Sequence, residues 1–312
     1  MTTTALISTG FKRARLIAGA AAFAIAAVPA CTATAQSQAH VTTGQLRVVS
    51  TTISTQKRTW TYDWPIKPFD RQHPVRAFLN DPRIGDHGGK AFHFGIDISA
   101  PDGTPVYSVE AGTVYFDNPA AIAVVSLDRS HEFGYWHIVP AVKSHQRVAR
   151  HQLIGYIGKG WEHVHFAERR GGDYLNPLRN GGLGPYVDRT APTVDSITLV
   201  GSDLVAAAHD TPDPRVPGDW AGEPVTPALL RWRVGNGHWR IAADFREKML
   251  PQSEFGQIYT PETLQNHKGM AGCFSFYLAR NWQPNGSVTV YVEASDMSGN
   301  STVASVQLTS EV

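Results

Sequence analysis

The stretch "FHFGIDISAPDGTPVYSVEAGTV", residues 92–114, decides the fold. Apolar and polar residues alternate, the chain turns at Pro and Gly, and the alternation resumes, which is the pattern of short β-strands. It opens with His93 and, four residues on, Asp97, both among apolar neighbours suited to a core. An unpaired buried polar group costs about 1–3 kcal/mol, and more when charged. The pair therefore needs a partner from elsewhere in the chain.

Short β-like runs recur from His93 to about Leu178: "GIDISA", "PVYSVEAGTVYF", "AIAVVSL", "GYWHIVP", "QLIGYIG" and "HVHFAER". Turn residues separate them and no amphipathic helix intervenes, so the unit reads as all-β. Upstream, "WPIKPFDRQHPVRAFLNDPRIGDHGGK" is dense in Pro, Gly and Asp and predicts a loop wrapping onto this unit. The polar, Thr/Ser-rich segment before it predicts a partly ordered lead-in, a candidate cover for the groove in a latent form. Downstream, "RNGGLGPYVDRTAPTVDSITL" reads as a boundary and linker. Beyond it, "LLRWRVGNGHWRIAADF" sets Leu230, Trp232 and Val234 on one face before a turn through Gly235–Gly237. "SVTVYVEASDMSGNSTVASVQL" alternates Val288, Val290 and Val292, then returns with Val306 and Leu308. These hairpins predict a β-sandwich of about 120 residues, whose last hairpin resembles those of bacterial Ig-like or fibronectin-III-like modules. No chemistry is legible in it. The expected division is 1–35 export signal, 36–74 lead-in, 75–182 β-rich domain with the chemistry, and 183–312 sandwich.

The chain of 312 residues is 42% hydrophobic and 18% charged, an ordinary globular composition. Its formal net charge is +1 with no long basic run, which argues against nucleic acid as partner. Lys12, Arg13 and Arg15 precede "LIAGAAAFAIAAVPA", residues 16–30, and small residues follow. This is the layout of a secretory signal, with cleavage best placed after Ala35 and no membrane span thereafter. An N-terminal membrane anchor and lipidation at Cys31 are the alternatives. Cleavage after Ala35 leaves Cys273 as the single cysteine of the mature chain, with no intrachain disulfide. The expected location is secreted, in the periplasm or cell envelope.

Two further clusters complete the chemistry. "HVHF" carries His163 and His165 two apart, so strand alternation points both imidazoles to one side. "GYWHIVP" carries His137 in an otherwise apolar run. Read singly, each of these clusters suits an inert, hydrogen-bonded histidine. Together, two imidazoles and one carboxylate are a set that catalytic zinc uses, with a fourth position left for water. Such an ion satisfies His93 and Asp97 amid apolar neighbours. The second imidazole of the His-x-His pair and His137 are then available for proton transfer or oxyanion stabilisation.

The ordered pieces "HFGID", "APDGTPV", "AGTV", "YWH", "IGYIG", "HVHF" and "NPL" resemble the lysostaphin-type zinc endopeptidases of bacterial cell walls, over roughly residues 75–180. The resemblance implies a compact antiparallel β fold with a groove, and His93, Asp97 and His165 as Zn2+ ligands. It implies His137 and His163 as catalytic histidines, and peptidoglycan peptides as substrate, cut through a metal-activated water. It leaves open which of His137 and His163 is the base. A non-catalytic peptidoglycan-binding or amidase-activating module of the same fold, and a general secreted protease, are the competing readings. The loop "GKGWEHVHF" is shorter than in many relatives, which bears on the groove and its substrate. Ala167 and Glu168 follow where relatives often have Glu directly, and Glu168 reads as peripheral. Asp86, His87, His131, His145 and His151 read as loop or surface residues. The sandwich is expected to space or dock the enzyme on glycan or on an envelope protein.

Overall fold

The computed structural model describes residues 41–84, 89–220 and 223–310. The signal segment, Cys31, Asp86 and His87 lie outside these residues. Nearly all regular structure is β, in two units with separate cores. Among the described residues no helix is long and apolar enough to cross a membrane.

The first unit is built on an antiparallel sheet. Its order runs Arg147–Val148, Gly112–Asn118, Ala121–Ser126, Glu132–Trp136, His163–Arg170, Ile96–Ser99 and Val75–Ala77, with Asp173–Leu175 beside His163–Arg170. A second, three-stranded sheet joins Ile138–Pro140, Leu153–Ile157 and Pro105–Tyr107. The run "GYWHIVP" is thus two strands in two sheets, broken at His137, whose φ of 67° turns the chain from one sheet into the other. Ile96, Ile98, Phe133, Tyr135, Val164 and Phe166 fill the core, where period-two alternation sends every second residue inward.

The region predicted as a wrapping loop is more ordered than its Pro and Gly content implies. It contributes the strands Val75–Ala77 and Pro82–Ile84 and buries Trp64, Ile66, Phe78 and Leu79. Four large apolar side chains leaving water outweigh the turn propensity of their neighbours.

The second unit stacks two sheets over one core. Thr193–Val200, Asp203–His209 and Ser275–Ala279 form one; Ser301–Ser310, Ser287–Ser295, Leu229–Val234 and Arg240–Asp244 form the other. Val290 pairs with Val306 and Val288 with Leu308, and Leu230 and Trp232 are buried as the alternation requires. Residues 41–52, read from sequence as a lead-in, are strands here. Val41–Thr43 and Arg47–Thr52 both pair with Ser301–Ser310, on the sandwich and not over the groove. Cys273 exchanges both backbone hydrogen bonds with Leu264 in the sandwich unit.

The units are not beads on a string. Phe92, next to His93, belongs to the sandwich core beside Phe245, Phe255 and Tyr259. Its backbone N–H donates to Gln252 Oε1 at 2.7 Å. Asp81 Oδ1 accepts from both the N–H and hydroxyl of Thr226, and Tyr259 donates to the Asn80 carbonyl.

Candidate metal centre and its flanking histidines

The strand His163–Arg170 lies antiparallel to Ile96–Ser99 in a register that sets His165 opposite Asp97 and His163 opposite Ser99. His93 enters from just before that strand. The result is a triangle of His93 Nε2, Asp97 Oδ1 and His165 Nδ1 with sides of 2.8, 3.0 and 3.2 Å. All three residues are buried. Tetrahedral zinc, with bonds near 2.0–2.1 Å, spaces its ligand atoms by about 3.3 Å, so one point about 2 Å from each atom exists here.

The outer contacts explain why these three atoms are the ones presented. The Phe78 carbonyl, 2.8 Å from His93 Nδ1, can only accept, so Nδ1 carries the proton and Nε2 offers a bare lone pair. Arg83 Nη2 donates to Asp97 Oδ2 at 2.9 Å, leaving Oδ1 for the centre. Gly95 has a strict reason to be glycine: a Cβ there would meet the Phe166 carbonyl at 2.3 Å and His165 Nε2 at 2.8 Å. Phe94 and Trp136 pack around the His165 ring at 4.4 and 5.0 Å between centres. Burial holds His93 neutral, lowering it to about 3. For Asp97, burial pushes upward, but the imidazoles around it prevail and hold the carboxyl well below its usual range. Converging lone pairs at under 3.3 Å repel unless something positive sits between them. The donor set therefore fits a divalent cation.

His163 and His137 stand beside this triangle. His163 Nε2 is 3.6 Å from Asp97 Oδ1, and the His137 and His163 ring centres are 4.6 Å apart. His137 stacks on Trp161 at 3.7 Å. Burial lowers His163 to about 4 and His137 to about 3, so both rings are neutral at neutral pH. His163 Nδ1 faces two partners with opposite demands. The Trp161 carbonyl at 2.6 Å requires a proton on that nitrogen, whereas Arg76 at 2.5 Å requires its lone pair. Each tautomer leaves Nε2 aimed at the centre, as acceptor in the first case and donor in the second.

All five residues singled out from sequence are thus brought to one place. Arg83, Arg76 and the carbonyls of Phe78 and Trp161 were not foreseen, because backbone acceptors and isolated arginines on two short strands leave no spacing signal. Glu168, read as peripheral, is fully buried and holds Arg179 through two bonds of 2.6 and 2.7 Å. His131 lies 3.7 Å from Glu168, and His145 and His151 sit in positive-φ turns away from the centre.

The short loop before His163 is braced by Asp102, which accepts from the N–H groups of Gly160 and Glu162. Beside it opens a cavity of about 660 Å3 lined by Ile66, Ser99 and Glu162 on one side, and by Asp219, Trp220 and Lys268 of the sandwich unit on the other. Lys268 closes the rim through Glu162 at 2.8 Å, and the Arg76 guanidinium lies 4.2 Å over the Trp220 ring. The sandwich unit therefore forms part of this cavity's wall, and none of His93, Asp97, His137, His163 and His165 lines it.

Residues 91–177 match the sequence profile of Peptidase family M23. The match covers less than a third of the chain, and that segment is similar to an M23 peptidase domain. The matched segment holds both His93 and Asp97, both histidines of "HVHF", and His137. Among solved structures, the chain is similar to the catalytic domain of the antimicrobial peptidase lysostaphin from Staphylococcus simulans. That match has 23% identity and a TM-score of 0.29, covering 32% of this chain and 86% of that one. Whole lysostaphin from the same organism matches at 14% identity and TM-score 0.31, over 79% of this chain and 92% of that one. A zinc-containing peptidase from Vibrio cholerae matches at 23% identity and TM-score 0.31, over 41% of this chain and 45% of that one, so the chain spans less than half its length. No curated protein sequence matches the chain.

Proposed function

We propose that this protein is an exported zinc endopeptidase that hydrolyses peptide bonds of bacterial peptidoglycan. The observation that carries the reading is the convergence of His93 Nε2, Asp97 Oδ1 and His165 Nδ1 on one point, with two neutral imidazoles beside it. When bound there, zinc supplies a Lewis acid for a scissile carbonyl and acidifies a water molecule.

The chain's own groups supply the rest. His163, with Nδ1–H donated to the Trp161 carbonyl, presents a basic Nε2 to the centre and can take a proton. The positive charge of Arg76 against the same ring disfavours the imidazolium, so the proton is passed on and not retained. His137 is clamped by stacking on Trp161, a fixed donor or acceptor on the opposite side of His163. Its left-handed backbone is the kind of local strain that persists where a site needs it. The cavity beside Glu162 suits the flank of an extended peptide, with Lys268 and Asp219 at its rim to meet charged groups.

Metal analysis of the purified full chain, paired with digestion of sacculi and product analysis, tests the reading. One zinc per chain, muropeptide cleavage and loss of both in His165→Ala are the expected results. A metal-free chain that binds sacculi without cutting them would leave a binding module instead. Cleavage of casein in preference to muropeptides would move the substrate to proteins in general.

A further inference from the structure

The sandwich unit, which carries no legible chemistry in sequence, contains three buried carboxylates in contact. Asp188 comes from the linker into the sandwich, Asp210 follows the strand Asp203–His209, and Asp296 opens the turn between the last two strands. Each offers an oxygen within 4.8 Å of the others, and their residues are 2%, 1% and 2% exposed. Among the described residues no Lys, Arg or His nitrogen lies within 4.0 Å of any of them.

Their hydrogen bonds are allotted unevenly. Asp188 Oδ1 accepts from the N–H and hydroxyl of Thr190, and Asp210 Oδ1 accepts from Thr211 N–H. Asp296 Oδ1 accepts from the N–H groups of Ser298 and Asn300, and its Oδ2 accepts from Asn300 Nδ2. Asp188 Oδ2 and Asp210 Oδ2 are fully buried and have no partner. A third group shares this state: the Tyr186 hydroxyl is buried and has no partner, and its charged neighbours are these three carboxylates and Arg58, whose guanidinium lies 5.5 Å over the Tyr186 ring. Two carboxylate oxygens and a phenol left without partners in one dry place amount to several kcal/mol of unmet polar demand. Burial, first, and mutual repulsion push Asp210 well above the ordinary carboxylate range and Asp296 to about 7.

We infer that Asp188, Asp210 and Asp296 form a second metal site, distinct from the zinc centre, that takes calcium. The donors are all oxygens, with no nitrogen or sulfur, which disfavours zinc. They come from three separate segments into a buried space; magnesium keeps most of its water shell, whereas calcium accepts many protein oxygens in irregular geometry.

The location says what the ion does. Asp210 exchanges both backbone hydrogen bonds with Val225, whose side chain is in the core of the peptidase unit, and Tyr186 packs in that same core. The Asp188 backbone N–H donates to the Ser298 hydroxyl oxygen at 2.8 Å, and Asn300 Nδ2 donates to the Asp188 and Thr190 carbonyls. An ion here ties the linker, the final hairpin and the seam between the units together. Calcium is therefore a structural clamp on the sandwich that walls the cavity beside Glu162.

Calorimetric titration of the zinc-loaded full chain with calcium chloride, and in parallel with magnesium chloride, tests this, together with thermal unfolding in each salt. One calcium per chain is expected, with Tm rising by several degrees in calcium and not in magnesium. Asp210→Asn should lose the calcium-dependent rise while its calcium-free Tm equals or exceeds that of the parent chain, because one repelling charge is gone. His165→Ala should keep the calcium response, which separates this inference from the zinc reading. No heat of binding and no Tm change up to roughly 10 mM calcium, above the range of weak extracellular modules, would overturn it. So would an Asp210→Asn chain that still responds fully; should that variant not fold, Asp188→Asn and the parent titration decide.

Discussion

Phe92 and Tyr259 belong to different units, yet their rings pack 5.8 Å apart between centres, and Phe92 is the residue immediately before His93, a proposed metal ligand. The backbone that presents this imidazole is therefore anchored in the core of the sandwich. Phe92→Ala should lower unfolding free energy by about 3–5 kcal/mol, the usual result of truncating a buried aromatic ring. It should also weaken zinc retention, because His93 loses its tether. Denaturant unfolding together with zinc content after dialysis measures both; a destabilised chain that holds zinc as tightly as the parent would contradict the coupling.

His137 and His165 should fail in different ways. His137→Gly suits the positive φ of that position and removes only the imidazole. Activity on sacculi should fall by about 10²–10⁴-fold, the range for a lost acid–base group, with zinc content unchanged. His165→Ala should lose zinc and activity together.

Gly95→Ala forces a methyl against the Phe166 carbonyl and the His165 ring. The backbone cannot give way without moving two paired strands. Lower stability and lower zinc occupancy than in the parent are expected, read by thermal unfolding and metal analysis of the same preparation.

Acid should weaken the protein before it ionises the site. Burial holds His163 at about 4 and His137 at about 3, against 6.5 for a free imidazole. The unfolded chain takes up these protons at higher pH than the folded one. The stability contributed by the neutral rings is fully present above pH 6.5 and is lost as pH falls toward 4 and then 3. A bound cation pushes both rings in the same direction. The acid limb of kcat/KM should accordingly lie below about pH 5; a limb centred at 6.5 would show that the rings are not held neutral.

Trp220 reaches the cavity beside Glu162 from the sandwich unit. Trp220→Ala should raise KM for muropeptide substrates by roughly tenfold, the loss of about 1.4 kcal/mol of contact, with kcat little changed. Steady-state kinetics on a defined muropeptide separates this from a general loss of fold.

Much of the peptidase unit was legible because its signals are local. Alternation placed the strands, and His163 and His165, two apart on one strand, had to share a side. The cation demand of His93 and Asp97 followed from polar groups in an apolar run. The reading of Trp64 to Lys90 as mere loop overlooked buried Trp64, Ile66, Phe78 and Leu79, because Pro and Gly mark turns without saying what lies beneath them.

By itself the sequence determined the β character and singled out five candidate site residues by type and local pattern, while the choice of His93, Asp97 and His165 as ligands of a cation rested on the resemblance to lysostaphin-type peptidases. Only the tertiary structure decided which atoms face that cation, because Phe78 and Trp161 carbonyls and Arg83 choose them through space. It alone joined Asp188, Asp210 and Asp296, and set Phe92 into the distant core. Such contacts are made by packing, whether the partners lie 15 positions apart, as Phe78 and His93 do, or 160, as Phe92 and Gln252 do, and packing leaves no period in the chain.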